Sequence, residues 1–208
     1  MFELKLTLRI FTLVFLGVAL SFLLVGRKQY NDKRVSAISI SVTPSLEAVT
    51  QPQFQTEKMD SPDGSKTLVM EKQTGQGKSN YSFFTMDADG DNEIEIFVKD
   101  VDYNSLLEIP YNTWSPDNAY FFLKETNRGS TDYLVFFSSG ENFADGQQYL
   151  YIKNLFLSKY PEFKIEDITG WAAVNLLLVN VKSQTGEKVS FWFDVTSQNF
   201  TRLGTYFQ

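Results

Sequence analysis

At 208 residues the chain has room for one domain with a real core, an anchor and a linker. It contains no histidine and no cysteine, which excludes disulfides, Cys or His metal centres, cysteine nucleophiles and any Ser-His-Asp arrangement. The net charge of −6 is uneven. Residues 1–34 hold six bases (Lys5, Arg9, Arg27, Lys28, Lys33, Arg34) against two acids (Glu3, Asp32), leaving the remainder 13 of the 19 bases and 23 of the 25 acids, a net of −10. So acidic a body repels phosphate backbones, and nucleic acid is not expected as a partner.

In chain order, a tail over 1–9 leads into Ile10–Gly26, a run of seventeen residues without a charge. About 17–25 apolar residues span a bilayer, so 10–26 predicts a transmembrane or signal-anchor helix and the membrane as a partner. No small-residue cleavage site follows the run, which ends in Val25-Gly26-Arg27-Lys28. Positive-inside counting leaves the body cytoplasmic by a small margin, whereas short anchors on β-rich domains deliver the body outside. The reading adopted is a single-pass membrane protein with an extracytoplasmic body. Residues 27–59, a basic flank followed by a Ser, Thr, Gln and Pro-rich segment without sustained periodicity, read as a stalk.

A folded body is expected over 60–208. Aromatic residues make up 15% of the chain, with 19 Phe, a bias that suits half-buried pleated surfaces and predicts a mainly β domain. Ser61-Pro62-Asp63-Gly64 precedes the apolar run at Lys66–Glu71, and Ser115-Pro116-Asp117-Asn118 precedes Ala119–Leu123, the same device 54 residues later. Pro fixes φ, Asp caps the local backbone, and Gly or Asn accepts positive φ, so each is a tight turn before a strand. A fainter copy runs from Trp171 to Val179, with Trp171 matching Trp114.

Further strands are expected at Tyr81–Met86, Glu93–Lys99, Tyr133–Ser138 and Lys188–Val195, with a hairpin loop at Ser183–Glu187. Ile152, Leu155, Phe156 and Tyr160 share a helical face and Pro161 lies just beyond, which predicts one short helix. The alternation of Tyr149-Leu150-Tyr151-Ile152-Lys153 fits a strand as well. The aromatics Trp114, Tyr120, Phe121, Phe122, Trp171, Phe191, Trp192 and Phe193 either line a binding surface or are buried between stacked sheets.

The two Ser-Pro-Asp turns, each feeding an apolar strand at this spacing, resemble the TolB-type, WD-repeat-like β-propeller blade. Ile96–Asp102 resembles the strand that precedes the next such turn. The resemblance covers residues 60–125 clearly and 126–208 loosely. It implies antiparallel blade sheets and a role in protein contacts. About three blades fit, fewer than the four to eight of closed propellers, so the domain is expected to be incomplete and to bind a protein partner or a second copy.

Asp87, Asp89, Asp91, Glu93 and Glu95 form the densest acidic segment. Acids at alternating positions wrap oxygens around a hard cation, and the segment resembles the calcium loop of the FG-GAP repeat, with Glu93 offering its carbonyl. Calcium is the one metal it suggests. No other cofactor is expected. The function expected is a non-enzymatic, membrane-anchored binding or assembly module at the cell envelope. The alternatives are a calcium-binding adhesive or envelope-stabilising domain and, more remotely, a carboxylate-based glycoside hydrolase.

Overall fold

The computed structural model describes residues 52–75 and 77–207. Strands β1 (Gln53–Asp60), β2 (Lys66–Thr74), β3 (Lys78–Asp87) and β4 (Ile94–Asp102) form a first sheet, A, in chain order. Strands β5 (Ser105–Glu108), β6 (Tyr120–Asn127), β7 (Ser130–Phe137) and β8 (Leu150–Tyr151) form sheet B. A six-residue helix α1 (Ile152–Leu157) follows directly. Strands β9 (Phe163–Ala173), β10 (Leu176–Ser183), β11 (Lys188–Asp194) and β12 (Asn199–Arg202) form sheet C. Neighbours in every sheet are antiparallel, so each sheet is a meander made by local connections alone.

Two expectations are corrected. Among the described residues no helix is long and apolar enough to cross a membrane. At 1.5 Å per residue a six-residue helix reaches roughly 9 Å, far short of a bilayer of about 30 Å. The architecture is therefore mainly β with three antiparallel sheets, and neither the fold class with a transmembrane helix nor the single-pass localisation with an extracytoplasmic body stands. The expected anchor over 10–26 and the tail over 1–9 lie outside the described residues. The second correction concerns the stalk, whose last residues, Gln53 to Met59, belong to β1 and pair with β2 from Gln53↔Thr74 to Asp60↔Thr67.

Both Ser-Pro-Asp turns link the first two strands of a sheet, and their geometry matches bond for bond. The Ser61 hydroxyl donates to Asp63 Oδ1 (2.9 Å) and accepts from the Lys66 N–H (3.0 Å), while Ser65 N–H donates to Asp63 Oδ1 (2.9 Å). Ser115 donates to Asp117 Oδ1 (2.7 Å) and accepts from Tyr120 N–H (2.9 Å), and Ala119 N–H donates to Asp117 (3.2 Å). Asn118 takes the positive φ (60°) that Gly64 (71°) takes in the first turn.

Sheet B has no solvent face in its middle strands. Phe121, Phe122 and Leu123 of β6 and Leu134, Val135 and Phe136 of β7 are all fully buried. Such continuous apolar runs are what a strand covered on both sides requires. Phe121, Leu123, Leu134 and Phe136 pack with Leu68, Met70, Phe83 and Phe97 of sheet A. Phe122, Tyr133 and Val135 pack with Ile168, Leu177, Val179, Phe191 and Phe193 of sheet C, and Phe156 of α1 fills the same core.

Two indoles tie successive sheets together at equivalent positions. Trp114, which bridges to Phe121, donates its Nε1–H to the Met59 carbonyl at the end of β1 (3.0 Å). Trp171, which pairs with Leu177, donates to the Thr113 carbonyl (2.9 Å). Met59 and Thr113 each immediately precede the residue at the tryptophan position of their own sheet, Asp60 in sheet A and Trp114 in sheet B.

Replacing either tryptophan by Phe keeps an apolar ring and removes the donor. Trp114→Phe and Trp171→Phe are each expected to lower stability by about 1 kcal/mol in urea unfolding, the net worth of one such hydrogen bond. A wild-type midpoint in the double variant would remove these bonds from the forces that hold the sheets.

Candidate functional site

Segments of all three sheets converge on one cleft of about 560 Å³. Sheet A contributes Met59 and Asp60, the segment after β5 contributes Tyr111, Asn112 and Trp114, and sheet C contributes Thr169 to Ala172 and Leu178. Pro62 and Pro116, the prolines of the two matched turns, also line it. The site is thus a product of the repeat: the same turn and first-strand positions of successive sheets reach the same place.

Its walls are held rigidly. Asn112 donates its side-chain amide to the Thr169 carbonyl (3.1 Å), binding the sheet B segment to β9. At the neighbouring Gly170 (φ +135°) an added Cβ would lie 2.8 Å from Asn112 Cβ, so only glycine allows this approach. Both indole N–H groups are spent on backbone carbonyls. Trp114 is buried, whereas Tyr111 stands 87% exposed at the mouth. Asp60 is the only charged lining residue among the described residues, and its Oδ1 accepts from Thr67 (2.7 Å). Among the described residues the cleft therefore presents aromatic and proline surface, one carboxylate and no base.

Of the residues singled out in the sequence, Trp114 and Trp171 meet here. Tyr120 stacks on Trp171 with ring centroids 6.0 Å apart, behind the wall. Phe121, Phe122, Phe191 and Phe193 are fully buried, so most of the aromatic wealth is core, while Trp192 remains 38% exposed on the far face of sheet C. Tyr111, Asn112, Asp60 and Gly170 carried no sequence signal. Each is unremarkable in its own segment and gains meaning only when three segments converge.

The acidic segment forms the β3–β4 connection. Asp87 ends β3, Glu95 lies in β4 opposite Phe84, and Asp89, Asp91 and Glu93 are exposed. The loop closes on its own hydrogen bonds: Asp87 N–H to the Asp91 carbonyl (2.9 Å), Gly90 N–H to the Asp87 carbonyl (2.9 Å) and Asn92 Nδ2 to Asp87 Oδ2 (2.6 Å). Asn92 adopts positive φ (53°) where calcium loops place glycine. Among the described residues no group of three acidic side chains comes together to hold a metal ion.

Elsewhere, burial raises the Asp132 carboxyl above its ordinary value, partly offset by the backbone N–H groups of Tyr133 and Lys153. Through Lys153 this side chain of β7 caps the first turn of α1. Burial, reinforced by the Asp167 carboxylate 2.7 Å away, raises the Tyr133 hydroxyl and keeps it a neutral donor.

No family model matches this chain. No curated protein matches it either. Among solved structures it is similar to the AtxE2 isopeptidase with astexin3-dC4 bound, at a TM-score of 0.48 and 12% identity, over 73% of this chain. The chain spans 30% of that protein's length. So distant a likeness carries no argument about activity.

Two predictions follow from these geometries. Millimolar calcium is expected to leave the melting temperature unchanged, since the loop is closed without it; a rise abolished by Asp89→Ala would show that the acids do converge on the ion. For Asp132 the folded state binds the proton more tightly than the unfolded state. Its contribution to stability is fullest in acid and declines as pH rises through the unfolded value of about 4 toward the raised folded one. Asp132→Asn is therefore expected to melt at or above the wild type at pH 7, with the advantage gone by about pH 4. A variant that melts lower at pH 7 by as much as at pH 4 would contradict the sign.

Proposed function

We propose that this chain is a non-enzymatic binding or assembly module, its three sheets serving as blade-like units of a propeller-type domain and its partner being a protein. The observation that carries the reading is the three-sheet cleft, where repeated turn and first-strand positions place Tyr111 almost fully in solvent beside Trp171 and two prolines. Exposed tyrosine supplies large, stiff contact area at little entropic cost, which is why such residues anchor protein contacts. The repeat of the Ser-Pro-Asp turns, matched bond for bond at 54 residues, supports the blade-like assignment. Among the described lining residues the cleft holds one carboxylate, Asp60, and no basic side chain to pair with it, which favours contact over catalysis.

The test is a photo-reactive phenylalanine analogue placed at position 111 of the full chain in its native cell, with position 78 as control, since Lys78 lies at the opposite end of sheet A. A discrete protein adduct at 111 and none at 78 is expected, and its mass distinguishes a second copy from another protein. Equal labelling at both positions, or none at 111, overturns the reading.

A further inference from the structure

We propose that a second cleft, between the β6–β7 hairpin and the start of β9, binds a small multivalent oxyanion through Lys153, Lys164 and Lys182. The site lies apart from the three-sheet cleft and shares no lining residue with it. Its volume of about 830 Å³ falls within the usual range for small ligands, roughly 300–1,000 Å³.

The argument begins with strand register. Lys182 of β10 pairs directly with Lys164 of β9 on one side and with Lys188 of β11 on the other. Three ammonium groups thus stand in one row across neighbouring strands about 4.7–4.9 Å apart. Like charges directly opposed destabilise a sheet. The row occurs in a body with 13 bases and 23 acids, where lysines are outnumbered by carboxylates. Lys153, the second residue of α1, adds a fourth positive charge to the neighbourhood.

Neutralisation from within the protein is incomplete. Glu166 lies 3.4 Å from Lys188 Nζ, accepts a hydrogen bond from Tyr206, and so belongs to Lys188, which also sits 5.1 Å over the Tyr206 ring. Glu162, exposed at the rim, is the other lining acid. Asp132, which does not line the cleft, accepts from two backbone N–H groups and attracts the Lys153 ammonium, without coming within 4.0 Å of it. No carboxylate of the described residues lies within 4.0 Å of the Nζ of Lys153, Lys164 or Lys182.

Donor chemistry completes the site. Lys153 Nζ contacts the Ser130 hydroxyl, and Thr131 and Ser183 also line the wall. Three movable ammonium donors with hydroxyls around them suit phosphate, sulfate or carboxylate oxygens, which lysine meets as a compact point charge. An anion bridging Lys164 and Lys182 would replace their repulsion with two charge-assisted hydrogen bonds.

Calorimetric titration of the full chain with pyrophosphate, sulfate and citrate at fixed ionic strength tests this and separates the three oxyanion chemistries. Saturable one-to-one binding of at least one is expected, weakened at least tenfold in the double variant Lys164→Gln/Lys182→Gln. The variant Lys58→Gln/Lys72→Gln, which removes the same charge from sheet A, is expected to bind as the wild type does. Equal weakening in both variants would reduce the effect to diffuse electrostatics and overturn the site. So would the absence of saturable binding, or capture of a glutamate-rich peptide with no small anion bound. Lys182→Gln without ligand is expected to melt above the wild type as the row's repulsion is relieved, and a lower melting temperature would remove the physical basis of the proposal.

Discussion

The described body hangs on a middle sheet whose central residues touch no water. The central residues of β6 and β7 are apolar on both faces, so sheet B is stable only with sheet A on one side and sheet C on the other. Six fully buried side chains at Phe121–Leu123 and Leu134–Phe136 each contribute about 1.5–3 kcal/mol of apolar burial. Hydrophobic burial is not directional, however, and would let the sheets slide. The indole bonds from Trp114 and Trp171, the amide bond from Asn112 and the Tyr133–Asp167 bond fix where they stop.

Polar bonds between sheets A and B serve the same end. Lys99 reaches the buried Glu125 at 2.6 Å, Thr85 donates to the Ser138 carbonyl at 2.8 Å, and Gln148 donates to the Ile96 carbonyl at 2.7 Å. Breaking a pair like Lys99–Glu125 leaves a charge buried without a partner, which costs more than forming it gains. Such bonds oppose displaced packings more than they strengthen the correct one.

What could be read from the sequence was local. The Ser-Pro-Asp turns were legible because proline, a capping aspartate and a residue tolerant of positive φ act within five positions. The helix was legible from Ile152, Leu155, Phe156 and Tyr160, though it is shorter than the pattern suggested, and Leu150–Tyr151 is indeed strand. Strand β1 was not legible: Gln53 to Asp60 is polar and largely exposed, and becomes a strand only because β2 offers it a full ladder. Both clefts were invisible for a related reason. Asp60, Tyr111 and Gly170 are separated by 51 and 59 residues, and the lysine row exists only once the register of β9, β10 and β11 is fixed. For the acidic segment, spacing alone could not say that Asn92 and the backbone bond to Asp87 within the loop.

The two outer sheets are finished differently. On sheet C the buried polar pair Asn180 and Ser190 is satisfied by residue 207, whose carbonyl accepts from Asn180 (2.6 Å) and whose N–H donates to the Ser190 hydroxyl (2.9 Å). The chain after β12 thus crosses the far face of its own sheet and closes that half. The uncovered half keeps Leu178 and Trp192 in one cross-strand row beside Gly170. Sheet A has no such cover among the described residues, and Phe54 (75% exposed) and Val98 (46%) share its outer face with Lys58, Glu71 and Glu95. Charged neighbours around these apolar side chains discourage indiscriminate sheet stacking. Asp60 fits the same logic. It occupies the position at which sheets B and C carry the tryptophan that reaches back to the preceding sheet, and a carboxylate there has no indole N–H to give and water to meet. The tryptophan positions therefore mark where one sheet grips the sheet before it, and Asp60 holds that position in the sheet that has no preceding sheet among the described residues.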